Sequence, residues 1–345
     1  MTTRSPRRVT RHRCGKGFTY RTTGNQTLKD KSWRSWIASL AIPPAWHDVE
    51  IVLNRRHHIY ATGRDDAGRK QYIYNPEWRE QREALKFDRM VAFAQKLTSM
   101  RRITGQHLTL DGLPRNKVLA CMVRLIDSAY FRPGSERYRE QNDSYGLTTM
   151  RSKHLTIEGE ELIFDYQGKS GQTQHRVVED ARLASVVAEL DDTPGYEIFK
   201  YFDEDGHKVR VDSHDLNDYI HKVMGEAFSA KDFRTWAGTS IAALALEELG
   251  LGDDEKASQA NVRQAVERVA SKLGNTPSIA KASYIDPRVV ESYLDGRTLE
   301  HFRQLIEAEL EKEELTGPDE RAVLELLRSR LKRESEANQA RFGRR

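Results

Sequence analysis

Two arginines, two lysines and a tyrosine stand where local sequence restrains them, and together they have the chemistry to work on a phosphate ester. Arg132, in AYFRPGSERYREQN, closes an apolar run and is followed at once by Pro133 and Gly134, so its backbone is pinned. A guanidinium suits bidentate phosphate recognition, although an arginine that merely caps a helix C-terminus reads the same way. Lys169 lies in QGKSG. A Walker-type phosphate loop needs a glycine where Ile163 stands and must open a helix, whereas this stretch joins two strands. What is left is a lysine at a glycine-flanked hairpin tip, able to reach a phosphate or donate a proton, or an ordinary solvated turn lysine. Lys231 and Arg234 lie three apart at the start of a predicted helix, AKDFRTWAGTSIAAL, and so share one face. Two cations at a helix N-terminus are misplaced unless an anion lies between them. In LGNTPSIAKASYID, Gly274 ends one helix, and Thr276 and Pro277 supply the N-cap and first turn of a short one that Tyr284 closes. A lone tyrosine there is more often a core aromatic than a catalytic one. Each stretch is weak alone; the order Arg…Lys…Lys-x-x-Arg…Asn…Tyr is not.

The elements that must carry these residues divide the 345-residue chain in three. Residues 1–34 read as a basic arm: Arg4, Arg7, Arg8, Arg11, Arg13, Lys16, Arg21, Lys29, Lys31 and Arg34 face the single acid Asp30. That points to a polyanion partner or to a solubilising tail. Residues 35–80 read as a small antiparallel β domain, because DVEIVLN, HHIYATG and KQYIYNP alternate apolar and polar around the turn RDDAGRK. Residues 81–345 read as a larger, mainly helical domain. Leu85, Met90, Phe93, Ala94 and Leu97 recur at helical spacing, and Pro114 is placed in the first turn of a helix bearing Val118, Leu119, Met122, Leu125 and Ile126. KHLTIEGEELIFDYQGKSGQTQHRVVED returns to period two as a three-stranded meander, YEIFKYFDEDGHKVRV suggests a short hairpin, and the chain is helical from about 213 onward. The fold class is therefore α+β.

Composition narrows the function. Charged residues make up 31% and the mean hydropathy is −0.73. SIAALALEELG is too short and too charged to span a bilayer. The arginine-rich N-terminus has no apolar stretch of signal-peptide type. Cys14 and Cys121 provide neither a disulfide framework nor a cysteine metal cluster. A soluble, cytoplasmic protein is expected.

The ordered residues resemble the type IB DNA topoisomerases, in the compact poxvirus-like and bacterial form, whose catalytic fold is shared with the tyrosine recombinases. The likeness runs from about 35 to about 300. KVLACMVRLIDSAYFRPGSERYREQNDSYGLTTMRSKHL resembles the block with the family's first catalytic arginine, which makes Arg132 that residue. YQGKSG resembles the hairpin of the catalytic lysine, Lys169; KDFRTW the second arginine, Arg234; SYIDPRV the nucleophile segment, with Tyr284. Nine residues upstream the family usually has histidine, and here stands Asn275. The usual S-K-x-x-Y is Ala280-Lys281-Ala282-Ser283-Tyr284. GRKQYIYNP resembles the β-domain strand that meets bases in the major groove, with Tyr72 and Tyr74 as candidates and cross-strand packing as the competing use. Arg69, Lys70, Arg137, Tyr138 and Lys231 complete the expected DNA contacts.

What the resemblance implies is relaxation of supercoils through a 3′-phosphotyrosyl intermediate, with neither ATP nor metal and no cofactor. The expected partner is double-stranded DNA, clamped by a monomer that needs no obligate protein partner and sits at the nucleoid. Arg132 and Arg234 would hold the scissile phosphate, Lys169 would protonate the 5′ oxygen, and Lys231 would support it. A phenol of pKa about 10 is only ~0.1% ionised at neutral pH, so fixed cations must stabilise the charge of the transition state. Asn275 can offer one amide hydrogen bond but no charge. A tyrosine recombinase is the nearest alternative, but recombinases usually carry His-x-x-Arg where this chain has Lys231-Asp232-Phe233-Arg234. A DNA-binding module with impaired catalysis is the other. Ser135 and Glu136 stand where relatives can present a basic residue, so cleavage-site preference does not carry over.

Overall fold

The computed structural model describes residues 7–66, 68–307 and 317–342. The chain divides into two compact units, with the boundary between Lys86 and Phe87.

The first unit is built on one antiparallel sheet. Its strands are β1 (Arg8–Cys14), β2 (Gly17–Thr22), β3 (His47–Val52), β4 (Ile59–Arg64) and β5 (Lys70–Tyr74), in the spatial order β2-β1-β3-β4-β5. Helix α1 (Lys31–Ser39) packs Ile37, Trp33 and Trp36 into the same core as Val9, Val49, Ile51 and Ala61. Of the residues expected to form a basic arm, 8–14 and 17–22 are thus the first two strands and 31–34 open α1. Charge counting hid an alternation: Val9 is buried while most of its neighbours on β1 face solvent, which is the period of a half-buried strand. Arg11 is not loose either. It donates to the carbonyls of Ile42 (3.3 Å), Pro43 (3.0 Å) and Trp46 (2.6 Å), and its guanidinium lies 4.1 Å from the centre of the Phe18 ring. Arg4 lies outside the described residues.

The second unit is mainly helical. Helix α2 (Pro76–His107) begins inside the stretch 35–80 expected to be β, five residues before its end boundary at 80/81. Helix α3 (Arg115–Ala129) buries its central run from Lys117 to Val123 and leaves Asn116 and Ser128 near its ends exposed. Pro114 stands one position earlier than expected: it is the extended N-cap, not the first helical residue. After α4 (Glu136–Asn142) come the meander β6 (Leu155–Glu158), β7 (Glu161–Gln167) and β8 (Thr173–Glu179), in sheet order 6-7-8, and α5 (Ala181–Asp192). The expected short hairpin is β9 (Lys200–Phe202) with β10 (Lys208–Arg210). Seven helices follow: α6 (Ser213–Met224), α7 (Ala230–Leu249), α8 (Glu255–Leu273), α9 (Pro277–Tyr284), α10 (Pro287–Leu294), α11 (Leu299–Glu307) and α12 (Pro318–Phe342).

Ion pairs tie the last helix to the middle of this unit. Arg101 on α2 donates to Asp127 on α3 (2.8 and 3.1 Å) and to Glu320 on α12 (2.6 and 2.9 Å), and Glu320 also accepts from the Trp236 indole on α7 (3.1 Å). Ala322, Val323, Leu326 and Leu327 of α12 are buried in the main core.

Candidate active site

The site assembles at the C-terminal end of α8. A helix leaves its last carbonyls without intrahelical partners, and they carry the negative end of its dipole. Gly274 turns the chain there in the left-handed region (φ 59°), and the backbone N–H groups of Gly274 and Asn275 close the turn on Ala270 and Ser271. Three consecutive carbonyls then face outward, and each accepts from a different arginine. Lys272 takes Arg176 of β8, Leu273 takes Arg234 of α7 at 2.7 Å, and Gly274 takes Arg132 at 2.8 Å. Arg132 reaches further, to Oδ1 of Asn275 at 2.5 Å. Arg234, only 2% exposed, also donates to the carbonyl of Tyr130. Tyr130 ends α3 at φ 61°, a conformation that costs a non-glycine residue about 1–2 kcal/mol and turns its carbonyl toward Arg234. Arg132 therefore does serve a helix C-terminus, but that of α8 and not of the helix before it.

Neutral carbonyls are what make this arrangement chemical. Among the described residues no carboxylate pairs with Arg132, Arg234 or Arg176. Their charge is positioned without being neutralised, so the pocket is ready for an anion. Burial, then the neighbouring Arg132, pulls Arg234 below its ordinary pKa; burial does the same to Arg132.

Tyr284 lies against this cluster. The Arg234 guanidinium is 5.2 Å from the centre of its ring. Burial alone would raise the phenol pKa. Arg234, Arg132 and Lys231 outweigh it and leave Tyr284 below its ordinary value of 10. The backbone is held as closely as the ring. The Tyr284 carbonyl accepts from Thr239 (3.3 Å), and a Cβ on Gly238 of α7 would come 2.8 Å from Tyr284 Cβ, so α9 can lie this close only over a glycine. Two residues on, buried Asp286 caps α10 and pairs with buried Arg288 at 2.7 Å, which in turn holds Asp88 of α2 at 2.9 Å.

Lys231 and Arg234 do not share one environment. Lys231 is exposed and Arg234 buried. Asp232, between them in the sequence, closes the N-terminus of α7 by accepting from the backbone N–H and hydroxyl of Ser229, both at 2.8 Å, and among the described residues it pairs with neither cation. Lys169 is exposed on the short turn Lys169–Gly171 between β7 and β8. Asn275 is half-buried, and its Nδ2 has no partner among the described residues, which leaves one donor for a ligand oxygen.

The structure thus brings Arg132, Arg234, Asn275 and Tyr284 together, with Lys231 contributing charge and Lys169 on an adjoining hairpin. Sequence reasoning missed Arg176 and its neighbour Gln174. A His-Arg pair on an alternating strand carries no signal of its own, and a carbonyl acceptor is invisible in a sequence. Of the remaining candidates, Arg137 and Tyr138 lie on α4 and their side chains fall outside those described. The others belong to the first unit. Tyr72 and Tyr74, each 40% exposed, stack at 5.8 Å, Tyr74 stacks on Trp78 at 5.6 Å, and Trp78 on His58 at 5.0 Å. Lys70 lies 5.5 Å over Tyr72, while Arg69 is engaged by Asp65 at 2.8 Å.

Residues 75–310 match the family model for the eukaryotic DNA topoisomerase I catalytic core, and residues 17–65 match that for the bacterial DNA topoisomerase IB N-terminal domain. The chain belongs to the type IB DNA topoisomerase family. Among its relatives, DNA topoisomerase 1B of Acanthamoeba polyphaga mimivirus is 31% identical over 264 residues, covering 74% of this chain and 79% of that protein. DNA topoisomerase 1B of Vaccinia virus (strain Copenhagen) is 24% identical over 306 residues, 83% of this chain and 90% of its own. DNA topoisomerase I of Monkeypox virus is similar to the same extent. The enzyme is accordingly an isomerase of the topoisomerase I class that acts on DNA. Neither the recombinase nor the non-catalytic alternative is needed. Among the described residues no helix is long and apolar enough to cross a membrane.

Proposed function

We propose that this topoisomerase relaxes supercoiled duplex DNA by cutting one strand, letting it turn, and rejoining it, with the break held as a 3′-phosphotyrosyl bond. The observation that carries this reading is the set of arginines held by backbone carbonyls beside an acidified tyrosine. The phenolate oxygen of Tyr284 attacks phosphorus, and the bond from phosphorus to the 5′ oxygen breaks. Arg132 and Arg234 hold the non-bridging oxygens with Nδ2 of Asn275. Lys169 delivers a proton to the departing 5′ oxygen, assisted by Lys231. The phenol's own proton leaves to solvent. Rejoining is the reverse, so the bond energy stays in the protein–DNA link and no nucleotide is consumed. The Tyr72–Tyr74 face of β5, with Lys70 and Arg69, contacts bases and backbone; Arg137 and Tyr138 contact the strand near the break. The enzyme works as a monomer at the nucleoid.

Incubation with supercoiled plasmid in EDTA without ATP, followed by SDS, tests this. Relaxed product and a covalent adduct at the 3′ phosphate are expected for the wild type, and neither for Tyr284→Phe. Absence of relaxation by the wild type overturns the proposal.

A further inference from the structure

Lys169 must meet a leaving oxygen whose position is set by Arg234 on α7, Arg132 on the turn after α3 and Asn275 at the end of α8, yet it stands on an exposed turn between two strands. Something has to fix that turn to the end of α8. Gln174 and Arg176, on the returning strand β8, are placed to do so. Gln174 is 4% exposed. Its side chain lies between two glycines: a Cβ on Gly168, the residue before Lys169, would come 2.8 Å from Gln174 Cγ, and a Cβ on Gly274, the residue before Asn275, would overlap the Gln174 amide. The backbone also draws the turn together, with Gly168 N–H donating to the Gln172 carbonyl at 2.8 Å. Arg176 completes the connection. One end of its guanidinium donates to Gln174 Oε1 at 2.7 Å and the other to the Lys272 carbonyl of α8. Its charge also acts on the buried Tyr166 of β7, whose ring stacks at 6.0 Å on Phe131, the residue before Arg132.

We infer that Gln174 and Arg176 are positioning residues that hold the Lys169 turn against the C-terminus of α8, so that the proton donor is set relative to the phosphate that Arg132 and Asn275 grip. This rests on the function proposed above. Arg176 has a bond at each end, on Gln174 and on Lys272, and so spans the gap between the hairpin and α8. A planar fork is required for this; a lysine, with a single point of charge, cannot hold both partners.

The two roles separate by leaving group. When the phosphorus–O5′ bond breaks, the oxygen needs a proton; a 5′-bridging sulfur leaves as a thiolate of much lower pKa and does not. A defect in delivering the proton therefore vanishes on the sulfur substrate, whereas a defect in gripping phosphate or in folding does not. The experiment measures single-turnover cleavage at saturating DNA on matched duplexes with oxygen or sulfur at the scissile 5′ position. Lys169→Ala serves as the reference, with an expected loss of roughly 10²–10⁴-fold on oxygen, the usual range for a general acid, and near-complete recovery on sulfur. Gln174→Ala, Arg176→Ala and Arg176→Lys are expected to lose roughly 10–100-fold on oxygen, a partial general-acid defect, and to come within a few-fold of wild type on sulfur. Combining Arg176→Ala with Lys169→Ala adds little to Lys169→Ala alone, because both act on one step.

Equal losses on both substrates, or no loss at all, overturn the inference. Sulfur rescue of Lys169→Ala without rescue of the Gln174 and Arg176 variants also overturns it while leaving the proposed function standing. Failure of sulfur to rescue Lys169→Ala instead removes the assigned role of Lys169, and failure of the wild type to form an adduct removes the proposed function.

Discussion

The charged groups that act on the Tyr284 phenol among the described residues are cations. The phenol's activation comes from Arg234, Arg132 and Lys231, which lower its pKa despite burial. The sign is direct. The phenolate is the attacking form, and a lowered pKa raises its fraction at any pH below 10. Single-turnover cleavage is expected to rise with pH and to level off below the ordinary phenol value; a rate still climbing log-linearly through pH 10 would contradict it. Replacing Lys231 by methionine moves the plateau upward. Asn275 is the other residue on which rate depends. It accepts from Arg132 and keeps a free donor, so Asn275→Ala loses a ligand bond and loosens an arginine together. A slowing of roughly 10–1,000-fold is expected by the oxyanion-donor precedent, with Asn275→His close to wild type. An alanine variant that relaxes plasmid at the wild-type rate would exclude the contact. The candidates Arg132, Lys169, Arg234, Asn275 and Tyr284 were legible in the sequence because they sit in stretches with punctuation: Pro-Gly after Arg132, glycines around Lys169, Thr-Pro before the tyrosine helix. Arg176 has no such marks, since its importance lies in a carbonyl 96 residues away in the chain.

The elements were legible wherever a period ran undisturbed. The meander β6–β8, the long helices α2 and α3 and the helical remainder follow from spacing alone. The arm over residues 1–34 did not, because its strands carry arginine at exposed positions and a charge count overrides a period of two; the turn around Gly15 was the available signal. The last helix is a further case. α12 reads as a charged terminal helix, and it lies beyond the residues matched to the family's catalytic core. Yet Glu320 holds Arg101 of α2 and Trp236 of α7, two residues from Arg234, while the same Arg101 holds Asp127, three residues before Tyr130. Removing one partner from such a buried network leaves charges and a donor unmatched. Glu320→Ala is expected to destabilise the second unit by about 2–4 kcal/mol, seen as a thermal midpoint lowered by several degrees. Trp236→Phe, which removes only the indole donor, costs about 1 kcal/mol. Equal midpoints for Glu320→Ala and wild type would show that α12 is an appendage.

At the scale of the molecule, the net charge of +4 is small for a protein that must hold a polyanion. Basic residues are instead concentrated: in the first unit on β1, β2 and around Lys70, and in the second at the arginine cluster. Local concentration is sufficient, because affinity for duplex comes from the number of phosphates neutralised and not from total charge. Plasmid binding is expected to weaken steeply with salt, by roughly 10³-fold or more between 50 and 200 mM if six or more phosphates are met. Affinity independent of salt would contradict duplex DNA as the partner.

The capping of α8 by arginines from three separate segments has one more consequence, in the order of synthesis. Arg132, Arg176 and Arg234 all leave the ribosome before the carbonyls of residues 272–274 exist to receive them, and Tyr284 follows only afterwards. Until that helix end is made, the arginines have no common anchor and the nucleophile has not been added. On the function proposed above, a growing chain cannot cut DNA before residues 272–284 have been made, and a chain ended earlier lacks both the anchor and the tyrosine.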